Sequence, residues 1–80
     1  MTHTILRLPA IKTSTGLSRS SIYLRIAQGE FPKPVSLGGR AVGWPASEVA
    51  ALNAARIAGK SNSEIRDLVV KLEAARKGVA

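Results

Sequence analysis

The sequence contains no cysteine, and it has a single histidine, His3, among its 80 residues. The absence of cysteine excludes disulfides, thiol catalysis and cysteine-based zinc sites. A lone histidine in an amino-terminal tail has no second histidine with which to bind a metal ion. No Ser/His/Asp set and no pair of carboxylates in a cleft-forming context is present either. We therefore expect that the protein is not an enzyme and that it binds neither a metal ion nor a cofactor.

Long apolar segments are also missing. No apolar run approaches the roughly 20 residues of a membrane span, and no signal-peptide pattern opens the chain. We therefore expect a cytoplasmic protein without membrane contact. A chain of 80 residues forms one small domain, which buries only about 60% of the surface that its unfolded chain exposes. Such a thin core leaves little room for a deep pocket, so we expect no small-molecule substrate.

Positive charge is what the sequence has in excess. Twelve Lys and Arg residues face five Asp and Glu residues, for a net charge of +7. The excess lies mainly in residues 1–44, where six basic residues accompany a single acidic one, Glu30. A basic half of this kind suits a polyanion such as nucleic acid, because each neutralised phosphate releases counterions. A merely soluble basic surface explains the charge equally well, so charge alone does not decide.

Proline, glycine and serine mark the ends of two short helices near the amino terminus. The first is expected over residues 9–15, because proline suits the first helical position and Gly16 can adopt the positive φ that ends a helix. Ser18 is a natural N-cap for the second helix, which is expected to run over residues 19–28. Residues 1–7 are expected to form a tail that contains a short extended segment at Ile5 and Leu6.

Alternating apolar residues predict a β-hairpin in the middle of the chain. The runs at residues 35–37 and 42–44 are joined through Gly38 and Gly39, a pair typical of a tight primed turn. Arg40 then lies at or beside the tip of this ribbon. We expect Trp44 to pack in the core where the hairpin meets the next helix, and Phe31 to pack there too.

Two further helices are predicted after the hairpin. The third is expected over residues 46–58, opened by proline and closed by glycine. The fourth is expected to begin after the capping residues 61–63 and to end near residue 77. Its apolar residues form one stripe, made of Ile65, Leu68, Val69, Leu72 and Ala75. That stripe can pack on its own domain, form a homodimer contact through residues 62–77, or dock on a recombinase or polymerase.

The order of these elements predicts a winged helix-turn-helix. This is an α+β fold, mostly helical, with a DNA-binding domain at residues 8–59, a β-hairpin wing and a carboxy-terminal amphipathic helix at residues 60–80. In the second helix, Ile22 and Ile26 are four residues apart and share an inward face. At about 100° per residue, the outward face comprises Ser20, Ser21, Tyr23, Leu24 and Gln28, flanked by Arg19 and Arg25.

These residue types can contact DNA in different ways. Hydroxyl groups bind phosphates or base edges, arginine pairs with guanine, and Leu24 can touch a thymine methyl group. Helix capping or solvation explains each serine equally well. Arg40 in the wing can lie along the backbone or in a minor groove, although a solvated turn arginine is the alternative. A nucleotide-binding loop is disfavoured, since no Gly-Lys-Ser/Thr follows, and three aromatic residues are too few for a single-strand stacking platform.

The ordered motifs of residues 5–58 resemble the AlpA family of phage and prophage regulators, which is related to excisionases and to the winged DNA-binding domains of MerR-type proteins. The resemblance rests on Leu8-Pro9, Thr15-Gly16-Leu17-Ser18-Arg19-Ser20-Ser21-Ile22-Tyr23, Gly29-Glu30-Phe31-Pro32-Lys33-Pro34, Leu37-Gly38, Arg40-Ala41-Val42-Gly43-Trp44 and Ser47-Glu48-Val49. It implies that Arg19, Ser20, Ser21 and Tyr23 face DNA and that Arg40 lies in the wing. Many relatives carry a basic residue where Leu24 or Ala27 stands here.

The sequence therefore predicts a protein that binds double-stranded DNA and regulates transcription from a mobile element. The predicted DNA contacts are Ser18, Arg19, Ser20, Ser21, Tyr23, Arg25, Lys33 and Arg40. An excisionase-like factor that binds in the same way but bends DNA during recombination is an open alternative. So is an antitoxin-like adaptor that uses the carboxy-terminal helix to contact another protein.

Overall fold

The computed structural model describes residues 4–78, so His3 lies outside the described residues. In chain order the elements are β1 (Ile5–Leu6), α1 (Leu8–Thr15), α2 (Arg19–Ala27), β2 (Val35–Ser36), β3 (Val42–Pro45), α3 (Ala46–Ile57), α4 (Asn62–Ala75) and a 3-10 turn (Arg76–Gly78). This largely helical α+β arrangement with a hairpin wing confirms the predicted fold class. Among the helices described here, none has the length and apolar character needed to cross a bilayer.

Local capping residues set the helix boundaries close to where the sequence predicted them. The helix α1 carries proline in its first turn and ends at Gly16, whose φ of 72° is left-handed. At the start of α2, the Ser18 side chain accepts a hydrogen bond from the Ser21 backbone N–H. Ser61 and Glu64 form a capping box at the start of α4, and these hydrogen bonds lower the pKa of the Glu64 carboxyl.

The three strands form one antiparallel sheet in the order β1-β3-β2. The extended segment expected at residues 5 and 6 is β1, which pairs Leu6 with Trp44 on the central strand. The predicted hairpin is β2 and β3, which pairs Val35 with Gly43. A strand from the amino-terminal segment therefore covers one edge of the wing.

The hairpin turn lies one residue further along the chain than predicted. The Ala41 N–H donates to the Gly38 carbonyl at 3.0 Å, so Gly39 and Arg40 are the two central residues. Gly39 has a φ of 56°, whereas no residue other than glycine has a positive φ within residues 4–78. This sequence of signs matches a type II′ turn, whose first central position favours glycine. Arg40 is therefore part of the turn itself.

The core lies between the sheet and the helices. Its buried apolar residues are Ile11, Ile22, Phe31, Trp44, Val49, Leu52, Ile65 and Val69. The rings of Phe31 and Trp44 meet edge to face, with centroids 6.1 Å apart. The Trp44 indole N–H donates to the Pro32 carbonyl at 2.9 Å. Both aromatic residues are thus in the core, as the sequence predicted.

The helix α4 packs on its own domain. Ile65 and Val69 are both buried in the core. The Arg76 guanidinium, just beyond the helix, donates to both carboxylate oxygens of the buried Glu48, at 2.7 and 2.9 Å. This contact raises the pKa of Arg76, which therefore stays charged. The apolar stripe follows the first of the three predicted options, and a homodimer contact through residues 62–77 stays a prediction.

Gly43 gives a test of how β1 packs on the wing. A methyl group at this buried glycine would collide with the Ile5 side chain and lie 3.1 Å from the Leu6 carbonyl oxygen. We expect Gly43→Ala to destabilise the fold by about 1–3 kcal/mol. For a domain of this size, that corresponds to a fall in Tm of roughly 4–24 °C, measured by circular dichroism.

Adding Ile5→Ala to Gly43→Ala removes the larger collision and should restore part of the lost Tm. Ile5→Ala alone, at a partly exposed position, is the control. An unchanged Tm in Gly43→Ala would show that β1 does not pack on the wing as described.

Candidate nucleic-acid interface

The orientation of α2 leaves one side of this helix open to solvent. Ile22 is fully buried against the core, whereas Leu24 is 58% exposed and Tyr23 is 39% exposed. Ser20 and Gln28 are also exposed. The helix therefore presents the outward face that its 3.6-residue periodicity predicts.

Three hydroxyl groups gather at the first turn of α2. The Ser18 oxygen accepts from the Ser21 N–H at 3.2 Å, and it lies 2.9 Å from the Ser21 hydroxyl and 3.3 Å from the Ser20 hydroxyl. Ser18 thus acts as the N-cap, while Ser20 keeps an exposed hydroxyl. This turn also carries backbone N–H groups without helical partners, which suit a phosphate oxygen.

Arg19 and Tyr23 form one flank of the open face. The Arg19 guanidinium carbon lies 5.9 Å from the centroid of the Tyr23 ring, which is a cation–π contact. This contact orients the arginine along the helix while leaving both side chains exposed. A cation is therefore held beside the outward face, where it can meet a phosphate or a guanine edge.

Arg25 lies on the other flank, next to a groove. The groove is lined by Ser21, Leu24 and Arg25 of α2, by its C-cap Gln28, by Glu30, and by Arg56 and Asn62 from the end of α3 and the start of α4. Arg25 is half-buried there, and its proposed contact with DNA stays a prediction. Arg56 and Asn62 are not among the site residues predicted from the sequence.

The remaining predicted contacts, Lys33 and Arg40, lie at opposite ends of the β2 segment. Arg40 is exposed in the wing turn. The Lys33 side chain is exposed, but its backbone is held on both sides by the region around the end of α4. Its N–H donates to Glu73 and its carbonyl accepts from Arg76, both at 2.8 Å. Within residues 4–78, no hydrogen bond joins these two residues to α2.

Glu30 is the sequence signal that points to this groove. It is the sole acidic residue of the basic amino-terminal half, and its side chain is only 11% exposed. A carboxylate that is this buried needs a charged partner, and here Arg56 and Arg66 supply it. Within the described part of the chain, no group of three or more His, Cys, Asp or Glu residues is placed to hold a metal ion.

Comparisons with known proteins identify relatives of most of the chain. The sequence profile of the family described as "Prophage CP4-57 regulatory protein (AlpA)" matches residues 4–57, from the start of the sheet to the end of α3. The "Uncharacterized protein ORF88" of Enterobacteria phage P4 is 56% identical over 55 residues, which cover 69% of this chain and 62% of that relative. The match thus spans less than two thirds of the phage protein. No solved structure matches the chain.

Ser18 allows capping to be separated from DNA contact. We expect Ser18→Ala to cost about 1 kcal/mol of stability, because the N-cap hydrogen bond is lost. Ser18→Asp keeps a capping oxygen and should unfold near the wild-type temperature, but its negative charge should weaken binding to a duplex. The measurements are thermal unfolding and a fluorescence-anisotropy titration with labelled DNA. Equal DNA affinity for Ser18→Asp and wild type would place this turn away from the phosphates.

Proposed function

Because the chain belongs to the AlpA family of phage regulatory proteins, as its motifs predicted, we propose that it binds double-stranded DNA sequence-specifically. In this proposal it regulates transcription from a phage, prophage or other mobile element. The observation that carries the proposal is the open face of α2, which is anchored from behind by the buried Ile22. A rigid helix with one free polar side is what the major groove admits.

The exposed side chains of α2 match the chemistry of a major groove. The Arg19 guanidinium can pair with the two acceptors of a guanine, and Leu24 can contact a thymine methyl group. The hydroxyl of Ser20 and the N–H groups of the first turn suit phosphate oxygens, which position the helix without reading sequence. Specificity in this proposal therefore comes from Arg19 and Leu24.

The wing supplies a second contact. Arg40 lies in the turn of a narrow ribbon, where it can follow the backbone or enter a minor groove, whose negative potential attracts arginine. Lys33 at the base of the wing is proposed to contact a phosphate. Trp44, in the central strand, ties this ribbon to the core, so the wing meets the duplex together with α2.

An excisionase-like role uses the same surface and differs only in the bend that it imposes on DNA. A circular-permutation gel assay separates the two roles, because a large bend in the bound DNA would support the excisionase-like role. An adaptor role is less well supported, since Ile65 and Val69 of α4 are already buried in the domain. Deleting residues 61–80 would therefore unfold the protein rather than test that role.

The binding test compares the wing with α2. We expect Arg40→Ala to weaken binding about equally on all duplex sequences and to reduce the slope of log K against log salt by about 0.9, the value for one phosphate contact. Arg19→Ala and Tyr23→Ala should weaken binding and also change site preference. Selection from random duplex DNA followed by footprinting measures both effects, and half-sites about one helical turn apart would support a dimer.

Lys71→Ala serves as the matched control, because it removes one exposed positive charge from α4. If Arg19→Ala and Tyr23→Ala both leave the footprint unchanged, α2 is not the reading helix. Lack of affinity of the wild-type protein for any duplex at low ionic strength would overturn the proposed function.

A further inference from the structure

A cluster of arginine residues surrounds Glu30 beside α2. Glu30 forms ion pairs with Arg56 at 3.6 Å and with Arg66 at 3.1 Å. Arg25 lines the same groove as Glu30 and Arg56. Asn62 accepts a hydrogen bond from Arg56 at 3.1 Å, which holds that guanidinium at the junction of α3 and α4. Residues distant in sequence thus bring two guanidinium groups onto one carboxylate, with the third arginine, Arg25, lining the same groove.

The cluster keeps an excess of positive charge and of hydrogen-bond donors. One carboxylate neutralises only one of the three cations, and it is itself 11% exposed. The side chains of Arg56 and Arg66 are 35% and 49% exposed. Within residues 4–78, Arg25 takes part in none of the four ion pairs. Because each guanidinium has five N–H donors, donors remain that can reach an anion in solvent.

The position of this cluster relative to the open face of α2 is what gives it a function. Tyr23, Leu24 and Arg25 are consecutive, so they point about 100° apart around the helix. Arg25 therefore flanks Leu24 on the side opposite Tyr23, against which Arg19 is held. A helix in a major groove about 12 Å wide has a phosphate backbone on each side. One flank carries Arg19, and the other carries the Glu30 cluster.

We propose that Arg25 and Arg56, with Arg66 and Asn62 beside them, form a second phosphate-binding site. This site binds the DNA backbone that borders the major groove on the side of α2 opposite Arg19. This inference rests on the proposed function, since its ligand is the phosphodiester backbone of the same bound duplex. Glu30 is a positioning residue, because its carboxylate holds the guanidinium groups of Arg56 and Arg66 in place. Burial of its carboxylate also limits its repulsion of DNA.

The test measures DNA affinity against salt concentration by fluorescence anisotropy, using the full chain and the selected duplex. Arg25→Gln and Arg56→Gln should each weaken binding about fivefold to tenfold near 0.1 M salt and reduce the salt slope by about 0.9. In both variants, ethylation of phosphates along one of the two backbones that border α2 should no longer interfere with binding, whereas ethylation along the other backbone should interfere as in wild type. Lys71→Gln is the control, because it removes the same charge outside the groove and should leave the interference pattern unchanged.

Glu30→Gln provides a test in the opposite direction. The amide is close in shape to the carboxylate and still accepts hydrogen bonds from arginine, but the negative charge is gone. Binding should therefore tighten severalfold, with a steeper salt dependence. Circular dichroism of each variant checks the fold, and Arg25→Gln, which breaks no ion pair, keeps the test valid if Arg56→Gln is destabilised.

The possible outcomes separate this inference from the proposed function. If wild type binds the duplex and Arg25→Gln behaves like Lys71→Gln, the second phosphate site is wrong while DNA binding by α2 stands. If wild type does not bind any duplex, both proposals are overturned. A loss of interference along the predicted backbone in Arg25→Gln, without loss of fold, supports the site.

Discussion

Burial of the Trp44 indole joins the sheet to the helices, and the shape of the whole candidate surface depends on it. Trp44 lies in the central strand, is fully buried and donates its N–H to the Pro32 carbonyl. Its ring meets Phe31 edge to face. Because β3 runs directly into α3, the same contact fixes the direction in which α3 leaves the sheet. The wing and the helices consequently share one hydrophobic core, although the domain is small.

A second constraint acts through charge. Glu48 is buried, and a buried carboxylate is costly unless it is paired and hydrogen-bonded. Arg76 supplies that pairing from beyond the end of α4 and also reaches the Lys33 carbonyl, while Glu73 accepts from the Lys33 N–H. The end of the chain thus holds the base of the wing on both sides. The last turn of α4 and the turn just after it thus complete two polar sites in residues 31–48, in addition to the apolar contacts that Ile65 and Val69 make in the core.

The sequence predicted those features that are decided locally. Gly16 and Ser18 define helix ends through their own conformations and hydrogen bonds, so those boundaries were foreseeable, as was the outward face of α2. Features that depend on partners distant in the sequence could not be predicted in this way. The pairing of β1 with β3, the partners of Glu30 and the destination of α4 each require knowledge of which segments meet. The shift of the turn to Gly39 and Arg40 likewise depends on the strand register, which the glycine pair alone does not determine.

The burial of Glu30 and its ion pairs link the fold to the proposed function. A helix that enters a groove between two phosphate backbones gains affinity from cations on both flanks, yet a dense cluster of arginines beside a thin core repels itself. One nearly buried carboxylate relieves that repulsion between Arg56 and Arg66 and fixes their geometry. Because its oxygens are already paired and its side chain is only 11% exposed, the two arginines offset part of its repulsion of DNA. In the proposed function, phosphate contacts on the flanks then supply affinity, while Leu24 and Arg19 of α2 read the bases.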